Sequence, residues 1–336
     1  MAHYLITGHT GFKGSWLTLL LRSKGHQVSG LALDPLQGGL FERAGVQEDL
    51  TEDFRIDIRD RKGVAAAFDR VQPDFVIHMA AQALVREGYR DPQKTYSTNV
   101  DGTLNVLLAS RDTSAVKAQL VVTTDKVYRD DGRKRPYIES DPLGGADPYS
   151  ASKSMSDLLA QEFFRSGRTK PGAIARAGNV IGLGDVAADR LIPDIQRSLA
   201  SGEPLRIRYP TARRPFQHVL DCLNGYIALL NSLGNEPFGG AFNFGPQASD
   251  TLSVVEVLAL AAERVGPIDT IFETPDSTMT EANLLELDAN LAVQTFGWRA
   301  SDSTASVLMA MEPLTESGDI RASVQHQIKS REGLAR

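Results

Sequence analysis

Of its 336 residues only Cys222 is a cysteine, so no intramolecular disulfide can form and no cysteine-based zinc cluster can be built. Long apolar runs are also missing. The stretch from Trp16 to Leu21 is far shorter than a membrane span, and no basic segment with a cleavage site accompanies it. A cytoplasmic protein with no membrane partner is expected. Nor does charge of one sign dominate: 36 Lys and Arg face 42 Asp and Glu, a net charge of −6 spread along the chain. Nucleic acid is therefore not the expected partner, although local arginine clusters can still hold a phosphorylated small molecule. Internal repeats and low-complexity tracts are absent too.

The composition, 42% hydrophobic and 23% charged, is that of a chain that folds. At roughly 150 residues per domain, the length suits two domains or one large α/β unit with an appended lobe. The first ten residues, MAHYLITGHT, read as a buried strand ending in a glycine turn, and residues 12 to 23 carry apolar side chains at helical spacing. Residues 28 to 33, 54 to 58, 75 to 80 and 120 to 124 read as further strands, with helices at 64 to 70 and 103 to 111. Such alternation predicts parallel strands joined by right-handed crossovers, a Rossmann-type doubly wound α/β sheet with ligands beyond the strands' carboxyl ends. After Lys170-Pro171-Gly172 the pattern becomes irregular. Residues 1 to 172 are expected to form the dinucleotide-binding domain, with segments near 215 to 247 returning to it, and 173 to 336 mainly a smaller C-terminal substrate-binding lobe. In that half, 191 to 199 and 254 to 265 read as helices, 205 to 209 and 241 to 244 as strands, and Asp288 as the cap of a helix from Asn290. The tail after Gly318 is polar and suits a surface helix or a partly mobile end.

Gly8-His9-Thr10-Gly11-Phe12-Lys13-Gly14 lies between the first strand and the first helix, the context a dinucleotide fingerprint requires. Glycines there permit a tight turn and let a pyrophosphate approach the helix N-terminus. Asp34 ends the second strand, where an acid accepts hydrogen bonds from an adenosine ribose and repels a 2′-phosphate; NAD is the expected cofactor. Asp57 and Ile58 suit an adenine contact, or equally a loop acid beside a core isoleucine. Ala80 and Ala81 are small enough for a cofactor to lie against them, though small residues also serve packing.

Tyr149 and Lys153 are i and i+4 neighbours on one helix face. For a tyrosine to act as a base its pKa must fall from about 10 to near 7, roughly 4 kcal/mol of differential stabilisation. A lysine ammonium about 4 Å away supplies that much at an effective dielectric near 20. An exposed pair four apart by chance is the plain alternative. The fifth strand ends in Thr123-Thr124-Asp125-Lys126, a hydroxyl, a carboxyl and an amine suited to separate acid and base roles. Asp125 and Lys126 can serve one substrate only if the strand stops by Asp125; otherwise the cluster is a solvated strand end.

Together the Thr7 to Gly14 turn and the Tyr149/Lys153 pair resemble the extended short-chain dehydrogenase/reductase family. ITGHTGFKGSWL (6 to 17), HMAAQALVREGY (78 to 89), TTDKVY (123 to 128), DPLGGADPYSASK (141 to 153), ARAGNVIGLGD (175 to 185), DRLIPD (189 to 194) and RPFQHVLD (214 to 221) narrow the resemblance to CDP-glucose 4,6-dehydratases. The resemblance implies a redox-neutral cycle on NAD. Tyr149, supported by Lys153 and Thr124, would take the C4 hydroxyl proton. Lys126 would be the C5 base, Asp125 would protonate the departing C6 oxygen, and hydride would return to C6, supplying a deoxysugar precursor for surface polysaccharide. Asn179, Arg190, Arg208 and Arg214 match positions contacting the nucleoside diphosphate, a task for which a planar guanidinium is suited; surface salt bridging is the alternative for each arginine. Gln82, Arg86 and Tyr89 are placed to touch hexose or pyrophosphate, and Asn99 joins the cofactor contacts in a structural rather than catalytic part. No metal is expected, and a homodimer or higher oligomer is. Arg133-Lys134-Arg135-Pro136 and Val186 depart from the family's usual aromatic residues. Rival readings are a C4 epimerase, in which Asp125 and Lys126 would be idle, and a non-catalytic dinucleotide-sensing protein.

Overall fold

Tyr4, Leu5 and Ile6 are almost fully buried, and a segment shielded on both faces reads as a continuous apolar run, here the central strand β1 (His3–Thr7). The computed structural model describes residues 1–132, 135–167, 169–233, 238–246, 250–274, 286–311 and 318–334; Arg133 and Lys134, singled out above, lie outside them. After β1 come α1 (Phe12–Ser23), β2 (Gln27–Ala32), α2 (Leu40–Arg43), β3 (Glu52–Arg55), α3 (Arg61–Val71) and β4 (Phe75–His78). Then follow α4 (Val85–Arg90), α5 (Pro92–Tyr96), α6 (Gly102–Asp112), β5 (Ala118–Val122), α7 (Pro148–Arg165) and β6 (Gly172–Ala177). With a later strand, Phe238–Phe244, these make a seven-stranded sheet in the order β3-β2-β1-β4-β5-β6 and then Phe238–Phe244, every neighbouring pair parallel. Strand alternation divides the core: Tyr4 and Ile6 pack with α1, whereas Leu5, Leu31 and Val76 pack with α3 and α6 on the opposite face. This is a doubly wound α/β sheet whose order reverses between β1 and β4, where such folds open a ligand crevice.

The sheet runs on past Gly172, where the first domain was expected to end. Ala173, Ile174 and Ala175 are wholly buried and pair with β5 on one side and Phe238–Phe244 on the other. The rest of the chain contributes β7 (Val180–Ile181), α8 (Leu191–Ser201), β8 (Leu205–Ile207), β9 (Arg213–Arg214), β10 (Gln217–His218), α9 (Val219–Ser232), β11 (Phe238–Phe244), β12 (Leu252–Ser253), α10 (Val254–Val265), β13 (Thr270–Phe272), α11 (Asn290–Phe296), α12 (Ser303–Ala310) and α13 (Ile320–Leu334). Three short pairings, β7 with β10, β8 with β13 and β9 with β12, surround a second core of Ile181, Ile192, Ile195, Phe216, Val257 and Val307. Helix α10 opens with a reciprocal capping box between Ser253 and Glu256. The polar tail is the amphipathic helix α13: Ile320, Val324 and Ile328, spaced by four, enter the main core beside α1 and α9. Among the described residues no helix is long and apolar enough to cross a membrane.

Candidate active site

Strand β5 stops at Val122, and Thr123 still donates its N–H to Ala175 O at 2.8 Å. Thr124 then caps a single 3-10 turn, Asp125–Val127, its Oγ1 accepting from the Lys126 N–H at 3.4 Å. Because the strand ends here, Asp125 and Lys126 both line one cavity of about 410 Å³ together with Thr124, Tyr149 and Lys153. The last two come from the start of α7, which Asp147 caps by accepting the Ser150 N–H at 3.0 Å. Thr124 Oγ1 donates to Asp125 Oδ1 at 2.8 Å, so toward the Tyr149 hydroxyl it can serve only as an acceptor.

Burial pushes the Tyr149 phenol up to about 12, which the neighbouring Thr124 only partly offsets and the nearby Asp125 charge adds to. Burial and repulsion from Lys13, against attraction by Asp157, bring Lys153 down to about 7. The side chains alone therefore do not deliver the depressed tyrosine expected from the i, i+4 spacing. Lys153 Nζ is drawn to Val122 O at 2.8 Å, and desolvation of the phenolate prevails. Asp125 is raised above the ordinary carboxylate range by burial, which Lys126, Thr124 and Arg214 only partly offset, the direction a general acid needs.

A buried ion pair holds this turn from behind. Arg176 of β6 donates to Asp157 of α7 at 2.9 and 2.8 Å, and both side chains are essentially inaccessible. Asp157 also accepts from the Thr123 hydroxyl at 3.0 Å, while Arg176 donates to the Tyr128 hydroxyl at 2.9 Å. The two residues flanking the reactive turn are thus tied to the helix carrying Tyr149 and Lys153. Tyr128 in turn donates to Asn243 Oδ1 at 2.6 Å, linking the turn to β11.

The glycine turn fits a dinucleotide. A Cβ on Gly14 would lie 2.2 Å from Gly8 O, and Gly8 itself is left-handed at φ +79 with Ala80 N against it. Gly11 caps α1 without a side-chain hydrogen bond, and no acid occupies the first turn, so the helix N-terminus is left for an anion. Thr10 Oγ1 donates to Leu33 O at 3.0 Å, and Asp34 is exposed just beyond β2. Asp57 pairs with Arg59 through three side-chain contacts of 2.7 to 3.1 Å that hold its carboxyl below the usual range. Ile58 is buried against Gly102. Phe12 and Ala81 line the cavity; Gly8, Thr10, Gly11, Gly14, Asp34, Asp57, Ile58 and Ala80 do not, and lie along the adjoining ends of β1 to β4. Asn99 faces inward: its amide group is committed to Gln82 backbone atoms and the Ser152 hydroxyl, so it positions the segment after β4.

Asn179, Arg190, Arg208 and Arg214 line the same cavity as the reactive turn. Gln82 does not: its side chain bonds Leu84 and Thr95 and shapes the entry to α4. Arg86 and Arg190 are in ion pairs with Asp189 and Asp185, and Tyr89 is exposed. Among the residues of the cavity wall that went unread in the sequence are Lys13 and Asp189. Lys13, 3.3 Å from the Tyr226 hydroxyl, sits inside the glycine motif, where a charge interrupting an otherwise apolar face of α1 was the available signal. Among the described residues no group of three or more His, Cys, Asp and Glu is placed to hold a metal ion.

Known proteins share this architecture. A family model described as the NAD dependent epimerase/dehydratase family matches residues 4–245. CDP-glucose 4,6-dehydratase of Salmonella typhimurium is 41% identical over 87% of this chain and 84% of its own length. A UDP-glucose 4-epimerase of Neisseria meningitidis is 27% identical over 92% of this chain and 95% of its own. A crystal structure of UDP-glucose-4-epimerase from Stenotrophomonas maltophila, with bound NAD and formylated UDP-arabinopyranose, superposes with a TM-score of 0.81 at 21% identity, covering 98% of this chain and all of that one. The chain belongs to the NAD-dependent epimerase/dehydratase family.

Proposed function

We propose that this enzyme is a CDP-glucose 4,6-dehydratase, converting CDP-glucose to the 4-keto-6-deoxy sugar nucleotide with NAD. The observation that carries the reading is the convergence of Thr124, Asp125, Lys126 and Tyr149 on one cavity, set beside 41% identity to a dehydratase of that name. NAD, held along the turn of Gly8, Gly11 and Gly14, would supply the hydride acceptor and donor that such a cycle needs. Tyr149 takes the proton of the C4 hydroxyl while Thr124 bonds the same oxygen, and Lys153 supports the pair from one turn along α7. A ketone at C4 acidifies C5–H; Lys126 removes that proton, and Asp125, whose pKa burial raises, gives its own to the C6 hydroxyl as it leaves as water, after which Lys126 returns its proton to C5 as hydride adds to C6. Arg190, Arg208 and Arg214 with Asn179 hold the diphosphate, and Asp34 the adenosine ribose of the cofactor. A 4-epimerase would use Tyr149 and Lys153 alike but would need neither Asp125 nor Lys126.

Purified protein with NAD is expected to turn CDP-glucose into a product lighter by one water, without net reduced cofactor. A panel of nucleotide hexoses followed by mass spectrometry checks this. Interconversion at C4 with no loss of water from any member would favour the epimerase and remove the dehydratase reading.

A further inference from the structure

Two arginines share one carboxylate of the cavity wall, that of Asp189. Arg86 Nη1 lies 2.9 Å from Asp189 Oδ1, and Arg208 Nη2 lies 3.6 Å from the same oxygen. These groups come from three separate places: Arg86 from α4 beside the main sheet, Asp189 from the segment before α8, and Arg208 from the end of β8. One carboxylate thus gathers two guanidiniums from separate parts of the chain. Its backbone is unusual as well. Among the described residues only Gln72 and Asp189 are non-glycine residues with positive φ, and Asp189 is left-handed at +59. Such a conformation persists only where the surroundings over-determine it.

We propose that Asp189 is an internal stand-in for the substrate's diphosphate: its carboxylate holds Arg86 and Arg208 until a nucleoside diphosphate displaces it, and so sets the affinity of the site. The proposal rests on the nucleotide-sugar reading above. A guanidinium fork meets carboxylate and phosphate with the same geometry. A diphosphate brings more charge and more acceptor oxygens than one carboxylate, so exchange favours the ligand. The two arginines are meanwhile kept in place, which lowers the ordering cost when the ligand arrives. Exposure at the pair makes the exchange feasible: the Arg86 and Asp189 side chains are each 41% exposed, and a solvated ion pair is weakly bound. The neighbouring Asp185 contrasts with it. Its side chain is 6% exposed and also accepts the Ala187 N–H at 3.0 Å, so its pairing with Arg190 is a fixed part of the loop.

Calorimetric titration of the full chain with CDP, cytidine and NAD tests the idea. Asp189→Asn is expected to bind CDP about three- to tenfold more tightly than the natural chain, with cytidine and NAD unchanged. In an Arg86→Gln/Arg208→Gln background, adding Asp189→Asn should improve CDP binding by less than about twofold, because the groups it releases are gone. An equal gain in both backgrounds would mean that Asp189 acts only as a distant negative charge, which overturns the proposal. So would CDP binding that Asp189→Asn leaves unchanged or weakens. Absence of CDP binding by the natural chain and by every variant would instead remove the nucleotide-sugar reading, and the proposal with it.

Discussion

Tyr149 and Asp125 differ in what burial does for them. A buried phenol keeps its proton, so Tyr149, at about 12, needs added positive charge in the cleft before it can act as a base. Burial also favours the protonated form of a carboxyl, and for Asp125 that shift runs in the useful direction. Tyr149→Phe removes the proton carrier at C4 and is expected to slow hydride transfer by roughly 10²- to 10⁴-fold, read from the rise of reduced nicotinamide in a single turnover. Asp125→Asn should leave that rise intact and slow the later loss of water, so that reduced cofactor accumulates transiently. Elimination requires the protonated acid, and the raised pKa extends that form toward neutrality. Elimination in the natural enzyme should therefore fall as pH rises through the Asp125 pKa, and this dependence should be missing in Asp125→Asn. Equal losses in both steps would end the division of labour between the two residues.

Helix α1 and the turn before it show how closely an element can be specified. The helix spans Phe12–Ser23 as its apolar spacing predicts, and the glycines before it leave no room for side chains. Gly14→Ala would press a Cβ to 2.2 Å from the Gly8 carbonyl oxygen, a backbone atom that cannot swing away. A cost of about 1–3 kcal/mol in stability follows, together with loss of the melting-temperature rise that NAD gives the natural chain. Thermal melts with and without NAD measure both; an undiminished NAD shift would mean that the turn does not carry the cofactor. Other elements were harder to read for physical reasons. Arg176 puts a charge in the middle of β6, an unlikely strand interior until Asp157 and Tyr128 are seen to satisfy it. The three apolar residues of α13 are diluted by a polar helix, and only the core they enter shows their purpose. Thr124, Asp125 and Lys126 were visible as chemistry but not as geometry, since where β5 would stop depended on contacts with β6. Asp189 gave no local signal because its partners lie far away in the chain.

At the scale of the whole molecule, the same burial that builds the sheet makes it sensitive to acid. His78 sits on β4 between β1 and α6, its Nδ1 2.6 Å from the Thr7 hydroxyl and its Nε2 2.9 Å from that of Thr103. Both neighbours are neutral hydroxyls, and burial, with Lys153 adding repulsion, takes the imidazole down to about 3. His218, packed edge-on against Trp16, is likewise lowered to about 3 by burial. An unfolded histidine takes up its proton near 6.5, so between about 6.5 and 3 the unfolded chain binds protons that the folded chain refuses. Stability contributed by these neutral imidazoles is thus complete above about 6.5 and declines as pH falls toward 3, by up to about 1.4 kcal/mol per pH unit for each ring. Opposing this, Asp125, Asp221 and Glu139 are raised by burial, so the net slope of the natural chain is a sum over groups. A single substitution isolates one contribution. His78→Gln keeps a side chain that can bond one of the two hydroxyls but cannot take a proton. Urea unfolding of both chains from pH 7.5 to 4.5 should show the variant less stable at the upper end, where a well-fitted imidazole is lost. The difference should shrink steadily below about 6.5, because only the natural chain loses the contribution of residue 78. Parallel stability curves for the two chains would show that His78 titrates alike folded and unfolded, and that the hydroxyl pair between β1 and α6 does not keep it neutral.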